Sequence, residues 1–325
     1  MIKIAVILPT KDWDYLANTV LDGLFQMKKE GKVEFFLSSD SFARLPIHDL
    51  ILSQDDFIRY GRDESDLIFL AWGKNKTDSE LAEKIDCWGK TVFIDGSEPG
   101  RDGRYDFNIQ RDILSGRHKG RGSVNFDLLS RCPLYFRREK PYLSGIIPLP
   151  YGIESSYLKY LNSSVKKDID FACIFGQEEF PVLRKHAREL LEEYCRKEGF
   201  ICVTERTSSE DEFYQILARS KVGISIGGGG YDTARFWEIL ANNCFLLTET
   251  IDIFNSDDRS LNYERIYEFK NLHDYWYQLE KLGKFLRTDY NQHNLEKEYG
   301  EIILKHSSKA RATTILDAAR GKSLI

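Results

Sequence analysis

One segment constrains this chain more than any other. It is Ser225-Ile226-Gly227-Gly228-Gly229-Gly230-Tyr231-Asp232-Thr233-Ala234-Arg235-Phe236-Trp237-Glu238-Ile239-Leu240. An apolar strand, Val222 to Ile226, runs into four glycines and then into a helix that Asp232 or Thr233 can cap. Consecutive glycines let the backbone turn sharply and let another group approach it with no Cβ in the way. The helix that follows aims unpaired N–H groups and its positive dipole end over the turn, where a pyrophosphate is the natural occupant. Arg235 and Glu238 share one face of the first helical turns: a cation for phosphate and a carboxylate for ribose hydroxyls. The plainer alternative is a tight strand–helix connection carrying a surface ion pair.

Strands and helices alternate on both sides of this segment. In the first half, Ile2–Leu8, Val33–Leu37, Leu67–Ala71 and Thr91–Ile94 are strand-length apolar runs, with helical spacing over Tyr15–Lys29 and Asp78–Trp88. In the second, Ile169–Phe175, Phe200–Val203, Lys221–Ile226 and Cys244–Thr248 read as strands, separated by helices over Val182–Arg196, Asp211–Ala218 and Ala234–Ala241. The pattern is α/β: two Rossmann-like doubly wound domains facing a cleft. With 325 residues, each half can bury its own core. Residues 1–155 form the expected acceptor domain and 156–304 the donor domain, with the boundary in Pro148-Leu149-Pro150-Tyr151-Gly152-Ile153. The last stretch, Leu295–Ala319, reads as helix broken near Ser307-Ser308, with 305–325 expected to pack back on the first domain.

The segment from Arg235 through Leu240, Ala241-Asn242-Asn243-Cys244 and Leu246-Leu247-Thr248 resembles the R-x-x-E-x-L-A-x-G-x-x-L-L-T block of group 1 glycosyltransferases, and within them the CgeB-like branch. Lys305-His306-Ser307-Ser308-Lys309-Ala310-Arg311 is similar to the H-T-x-x-x-R helix of those proteins. Asp170-Phe171-Ala172-Cys173-Ile174-Phe175-Gly176 followed by Arg184 is similar to their D-x-x-F-x-G … R strand–loop–helix. The family has Gly where Asn243 stands, and larger members carry a further glutamate at the position of Gly230. The resemblance implies GT-B architecture and a nucleoside-diphosphate sugar as co-substrate, with Glu238 on the ribose. Gly228, Gly229, Gly230, Tyr231, Asp232, Arg235, Gly176, Arg184 and Lys185 are the remaining expected donor contacts. For Arg184 and Lys185 an exposed helix face explains the charge equally well.

No cofactor is expected. Asp12-Trp13-Asp14 and Asp168-Ile169-Asp170 match the D-x-D pattern of metal-dependent transferases, but the first follows strand one directly and the second opens a strand. The six cysteines show no C-x-x-C pair and read as buried reduced thiols of a cytoplasmic protein. Met1 to Pro9 reads as a first strand, and no segment approaches bilayer length, which leaves peripheral membrane contact open. A net charge of −5 makes no global case for a polyanionic partner. Locally, however, Arg101–Lys140 holds ten Lys/Arg against five acids, and Arg117, Lys119 and Arg121 form a candidate rim for an anionic acceptor. Such an acceptor is a phosphorylated glycan or lipid-linked sugar first and modified nucleic acid second; solvated loop charges are the alternative. The acceptor-activating base is expected at the carboxyl ends of the first domain's strands, where Asp12, Asp95 and His118 are the candidates. Two other functions fit the fold: a sugar-nucleotide epimerase and a non-catalytic two-lobed binding module.

Overall fold

The structure is a computed structural model that describes residues 1–9, 14–39, 48–73, 75–98, 123–138, 143–162, 164–177, 181–251, 253, 261–292 and 296–325. Asp12, Arg117, His118, Lys119 and Arg121 lie outside the described residues.

Two parallel sheets organise the chain. The first has the order β2-β1-β3-β4-β5-β6, from β1 (Ile2–Ile7), β2 (Val33–Leu37), β3 (Leu67–Ala71), β4 (Thr91–Asp95), β5 (Leu134–Arg137) and β6 (Ile146–Pro148). The second has the order β11-β10-β9-β7-β8, from β7 (Ile169–Ala172), β8 (Cys202–Val203), β9 (Ser220–Ser225), β10 (Phe245–Glu249) and β11 (Ile266–Phe269). Every pairing is parallel, and both sheets reverse direction beside their first strand, between β1 and β3 and between β7 and β9. In doubly wound sheets the crevice at the carboxyl ends of such a reversal is where ligands sit. β3 and β4 are buried along their whole length, as strands covered on both faces must be.

The helices are α1 (Tyr15–Lys29), α2 (Gln54–Arg59), α3 (Lys76–Ile85), α4 (Phe126–Arg131), α5 (Val182–Glu198), α6 (Glu210–Arg219), α7 (Ala234–Ala241), α8 (Leu272–Thr288), α9 (Glu296–His306) and α10 (Ser308–Gly321). Their ends follow ordinary capping chemistry: Asp14, Ser209, Thr233, Asn271 and Ser307 each accept a backbone N–H two or three residues on. Ser307 is both the break between α9 and α10 and the cap of the latter. Asn243, where the resembling family has Gly, takes φ 55°, a left-handed conformation that Asn tolerates better than most side chains. Arg265 Nη1 steadies it, donating to Asn243 Oδ1 at 2.8 Å.

One apolar cluster runs through both halves. It joins Ile4, Val6 and Leu16 of the first to Trp237, Ile239 and Leu240 of the second through Ile302, Ile315 and Leu316. α10 lies on α1 so closely that a Cβ at Gly23 would overlap the Ser308 carbonyl, and Gln26 Nε2 donates to Ser308 Oγ at 2.9 Å. The segment Leu149–Glu154 is buried rather than solvated, and Ile153 forms a bridge with Ser307. All six cysteines are free, and no helix among the described residues is long and apolar enough to cross a membrane.

Candidate functional site

The glycine run sits at the carboxyl end of β9, beside the reversal between β7 and β9. α7 returns against β9 at close range: a Cβ on Gly223 would meet the Ile239 side chain at 2.6 Å, so only glycine fits there. The turn is fastened from below. Gly227 N donates to Glu249 Oε2 at 2.7 Å, and Arg184 Nε and Nη2 donate to Ile226 O at 3.2 and 2.9 Å. Neither Gly228 nor Gly229 takes a left-handed φ, so their use lies in close approach. Arg184 Nη2 would stand 3.1 Å from a Cβ at Gly228, and the Glu98 carboxylate occupies the place of one at Gly229.

Thr233, not Asp232, caps α7, with its Oγ1 accepting from Phe236 N at 3.3 Å. On the first turns of that helix, Arg235 Nη1 lies 3.2 Å from Glu238 Oε2, and the guanidinium stacks 3.8 Å above the Phe213 ring. Tyr214 donates its hydroxyl to Glu238 Oε1 at 3.1 Å. The ring, the tyrosine and the carboxylate fix the guanidinium plane, while Arg235 Nε and Nη1 make no hydrogen bond. A half-buried guanidinium already oriented in the cleft wall suits an anion.

Arg235, Glu238 and Phe213 line a cleft of ≈ 670 Å³, a size suited to a small-molecule ligand. Gly176, Arg184, Gly228, Gly229, Gly230, Asp232, Arg235 and Glu238 all line it, so the structure gathers most of the expected donor residues around one space. The first half contributes Tyr15, Glu98, Arg138 and Tyr151.

Several roles differ from the sequence-based expectations. Arg184 is buried, and its donors go to Ile226 O and to Gln177 O, the latter at 3.1 Å; it shapes the turn from beneath. Lys185 and Tyr231 fall outside the residues lining the cleft, the tyrosine buried. Asp232 is fully buried, accepting from Tyr151 N at 2.7 Å and Trp237 Nε1 at 2.8 Å. Burial pushes its carboxyl up to about 6, against the nearby Arg138 charge. Asp95 does not face the cleft and is withdrawn as a candidate base. It lies fully buried in the sheet, paired at 2.5 Å with Arg137 on the neighbouring strand, and its oxygens also accept from Ser97 N and from the Tyr135 hydroxyl. Losing either partner of such a pair typically costs about 3–5 kcal/mol, which marks it as structural. The basic stretch shrinks for the same reason. Arg137 and Arg138 are buried, and Arg131 makes a two-point ion pair with Glu83 at 2.5 and 2.8 Å.

The Asp168 and Asp170 carboxylates do not gather around one point, and Asp12 of the other D-x-D match lies outside the described residues. Asp168 pairs with Arg219 at 2.8 Å and Asp170 with Lys221 at 2.6 Å. Among the described residues no three His, Cys, Asp or Glu groups converge as metal ligands. Sequence reasoning did not single out Arg138, Tyr151, Tyr15, Glu98, Phe213 or Tyr214. Phe213 and Tyr214 were legible only as the apolar face of α6, and Arg138 only as one more charge in the basic stretch.

No family model matches the chain, and no curated protein matches it in sequence. Solved structures match it in fold over nearly the whole chain. An α-glucosyltransferase in complex with UDP and a 13-mer DNA is 12% identical with a TM-score of 0.60, the alignment covering 98% of this chain and 99% of that one. A glycosyltransferase from Rickettsia africae is 11% identical with a TM-score of 0.60, covering 98% of each chain. A candidate UDP-N-acetylglucosamine 2-epimerase from Listeria monocytogenes is 11% identical with a TM-score of 0.53, covering 99% of this chain and 97% of that one. These likenesses establish the fold: two Rossmann-like α/β domains in the GT-B arrangement.

Asp14 lies beside the site in the first half, capping α1 by accepting Leu16 N at 2.9 Å on Oδ1. Gly96 leaves it room, since a Cβ there would overlap the carboxylate. Its Oδ2 is buried with no hydrogen-bond partner, and desolvation pushes its carboxyl up to about 7. Between about pH 4 and about pH 7 the folded protein therefore holds a proton that the unfolded chain releases. Stability should fall as pH rises across that window, by at most about 1.4 kcal/mol per pH unit for one proton. Asp14→Asn keeps a capping side chain and removes the titration. Urea unfolding across the window should show a shallower pH slope for the variant and greater stability near neutrality. Identical slopes would mean that Asp14 is ionised in the fold.

Proposed function

We propose that the chain is a glycosyltransferase that moves a sugar from a nucleoside-diphosphate sugar to an acceptor hydroxyl. The observation that carries this reading is Arg235, half-buried in the cleft wall and ion-paired at 3.2 Å with Glu238 at the start of the helix that follows the glycine turn. That arrangement answers the two fixed parts of such a donor. The diphosphate lies over Gly228–Gly230, where the α7 amide end and Arg235 offset its charge, and Glu238 accepts from the ribose hydroxyls. In the reaction the bond from the sugar's anomeric carbon to the diphosphate oxygen breaks, and a bond to the acceptor oxygen forms. The leaving diphosphate keeps the electron pair, and the acceptor gives up its proton. The protein's part is to hold the donor and stabilise the growing diphosphate charge. The solved relatives include an enzyme in complex with UDP-glucose, which supports a uridine-linked donor here. The CgeB-like assignment rests on the sequence blocks alone.

Among alternatives, the epimerase has a relative of the same fold, with a lower TM-score of 0.53 against 0.60. Epimerisation would alter the donor with no acceptor present, so product analysis with donor alone separates the two reactions. For the acceptor side we propose an anionic molecule, a phosphorylated glycan or lipid-linked sugar before modified nucleic acid. The support is the charge of the Arg101–Lys140 stretch, as reduced by the buried arginines described above.

Calorimetry with UDP and other nucleoside diphosphates should detect binding and name the base. Glu238→Ala and Arg235→Ala should each weaken it about tenfold to a hundredfold, as expected for loss of a charge-assisted hydrogen bond. Unchanged affinity in both variants would refute the site. Metal independence is a separate expectation: donor hydrolysis or transfer should continue in excess chelator because amides and an arginine meet the diphosphate charge. Complete loss, restored by Mn²⁺ or Mg²⁺, would show that a metal does this work. On the acceptor side, neutralising Arg117, Lys119 and Arg121 together should weaken acceptor binding, as should added salt, at constant donor affinity. An acceptor affinity indifferent to both points to a neutral acceptor.

A further inference from the structure

Four side chains of the first half line the cleft, and one of them stands where the second half's ligand would go. Glu98 follows β4 in the chain and crosses to the glycine turn. A Cβ built on Gly229 would overlap Glu98 Oε2, with the carboxyl carbon at 2.7 Å and Oε1 at 3.4 Å, so the carboxylate rests on the bare Gly229 backbone. That is the surface a diphosphate would cover. A carboxylate and a phosphate are both oxyanions sharing a charge between oxygens, and two such groups do not share one seat.

Glu98 is also built to leave. Its side chain is 42% exposed, and its bond to Arg138 Nη1 is long, at 3.3 Å. The residues before it are immobilised: Ser97 is buried and donates its backbone N–H to Asp95, which is locked to Arg137. A fixed root with an exposed tip allows side-chain rotation without rebuilding the strand end. Arg138 would keep its position when Glu98 moves, because it also donates to the Tyr151 hydroxyl at 2.7 Å and to Asp232 O at 2.6 Å. Departure of the carboxylate removes one negative charge from beside the turn while that guanidinium stays.

We propose that Glu98 is a charge gate on the diphosphate seat, moderating the affinity of the cleft for phosphate-bearing ligands: phosphates reach the turn only by displacing the carboxylate. The inference rests on the donor reading given above. It makes the gain from removing the gate depend on ligand charge. A nucleoside diphosphate competes with Glu98 for the turn, whereas an uncharged nucleoside binds the ribose and base positions without reaching it.

The test is calorimetric titration of UDP and of uridine into the full chain and into Glu98→Gln and Glu98→Ala. Glutamine keeps the shape and removes the charge, and alanine removes the side chain. Both variants should bind UDP roughly tenfold more tightly than the native protein, the size of one modest charge–charge or charged hydrogen-bond contribution. Their affinity for uridine should equal that of the native protein. Equal UDP affinity in all three proteins overturns the gate and leaves the donor site intact. Weaker UDP binding in both variants also overturns it, because Glu98 would then be a contact for the donor. Failure of the native protein and both variants to bind any nucleoside diphosphate overturns the donor reading itself, and the gate with it.

Discussion

The buried carboxylate of Asp232 ties the two halves of the cleft together. It sits between the glycine turn and α7, where Tyr151 N and Trp237 Nε1 both donate to it. Arg138 approaches from the first sheet and donates to the Asp232 backbone carbonyl at 2.6 Å. The start of α7 is thus set by groups from the opposite sheet, and the rim of the cleft inherits its geometry from this junction. Burying a carboxylate costs several kcal/mol unless its lone pairs are met, and Tyr151 N and Trp237 Nε1 each meet one oxygen of this one. The same economy holds across the sheet at Asp95 and Arg137, which leave water together and close the end of β4.

Beneath the glycine turn, tight packing and hydrogen bonds divide the labour. Gly223 lets α7 lie against β9, and Arg184 and Glu249 occupy the polar groups that the turn exposes on its inner side. The outer side faces the cleft, where the Glu98 carboxylate rests on Gly229. Arg235 is held differently, by the Phe213 face and the Glu238 carboxylate. A cation that is already oriented gives up little side-chain freedom on binding an anion.

Much of this was legible in the sequence where the signal is local. Val33–Leu37, Leu67–Ala71, Tyr15–Lys29 and Ala234–Ala241 are the elements that apolar periodicity predicts, to the residue. β6 escaped notice because three residues ending in Pro148 carry no period, and β11 because its burial is partial. β5 was hidden inside a run of charges, and this had a consequence for the site. Its register sets Asp95 opposite Arg137, so a carboxylate that looked available at a strand end is neutralised from a strand not recognised as one. α8 carries Tyr275, Leu279 and Leu282 at helical spacing, a signal present in the sequence and passed over. The expected donor residues could be gathered from one stretch because turn, cap, cation and carboxylate are contiguous. Arg138, Tyr151 and Glu98 could not, since only the tertiary fold brings them to that stretch.

The chain passes from one half to the other at residues 149–168 and returns at Ser307. The two passages are paired: Ile153 N donates to His306 O and Ser308 N to Ile153 O, both at 2.8 Å. Two covalent connections laced side by side behave as one two-ply strap. The halves therefore share one seam rather than two separate connections, and a disturbance of the backbone at Ile153 or Ser307 reaches both crossings at once.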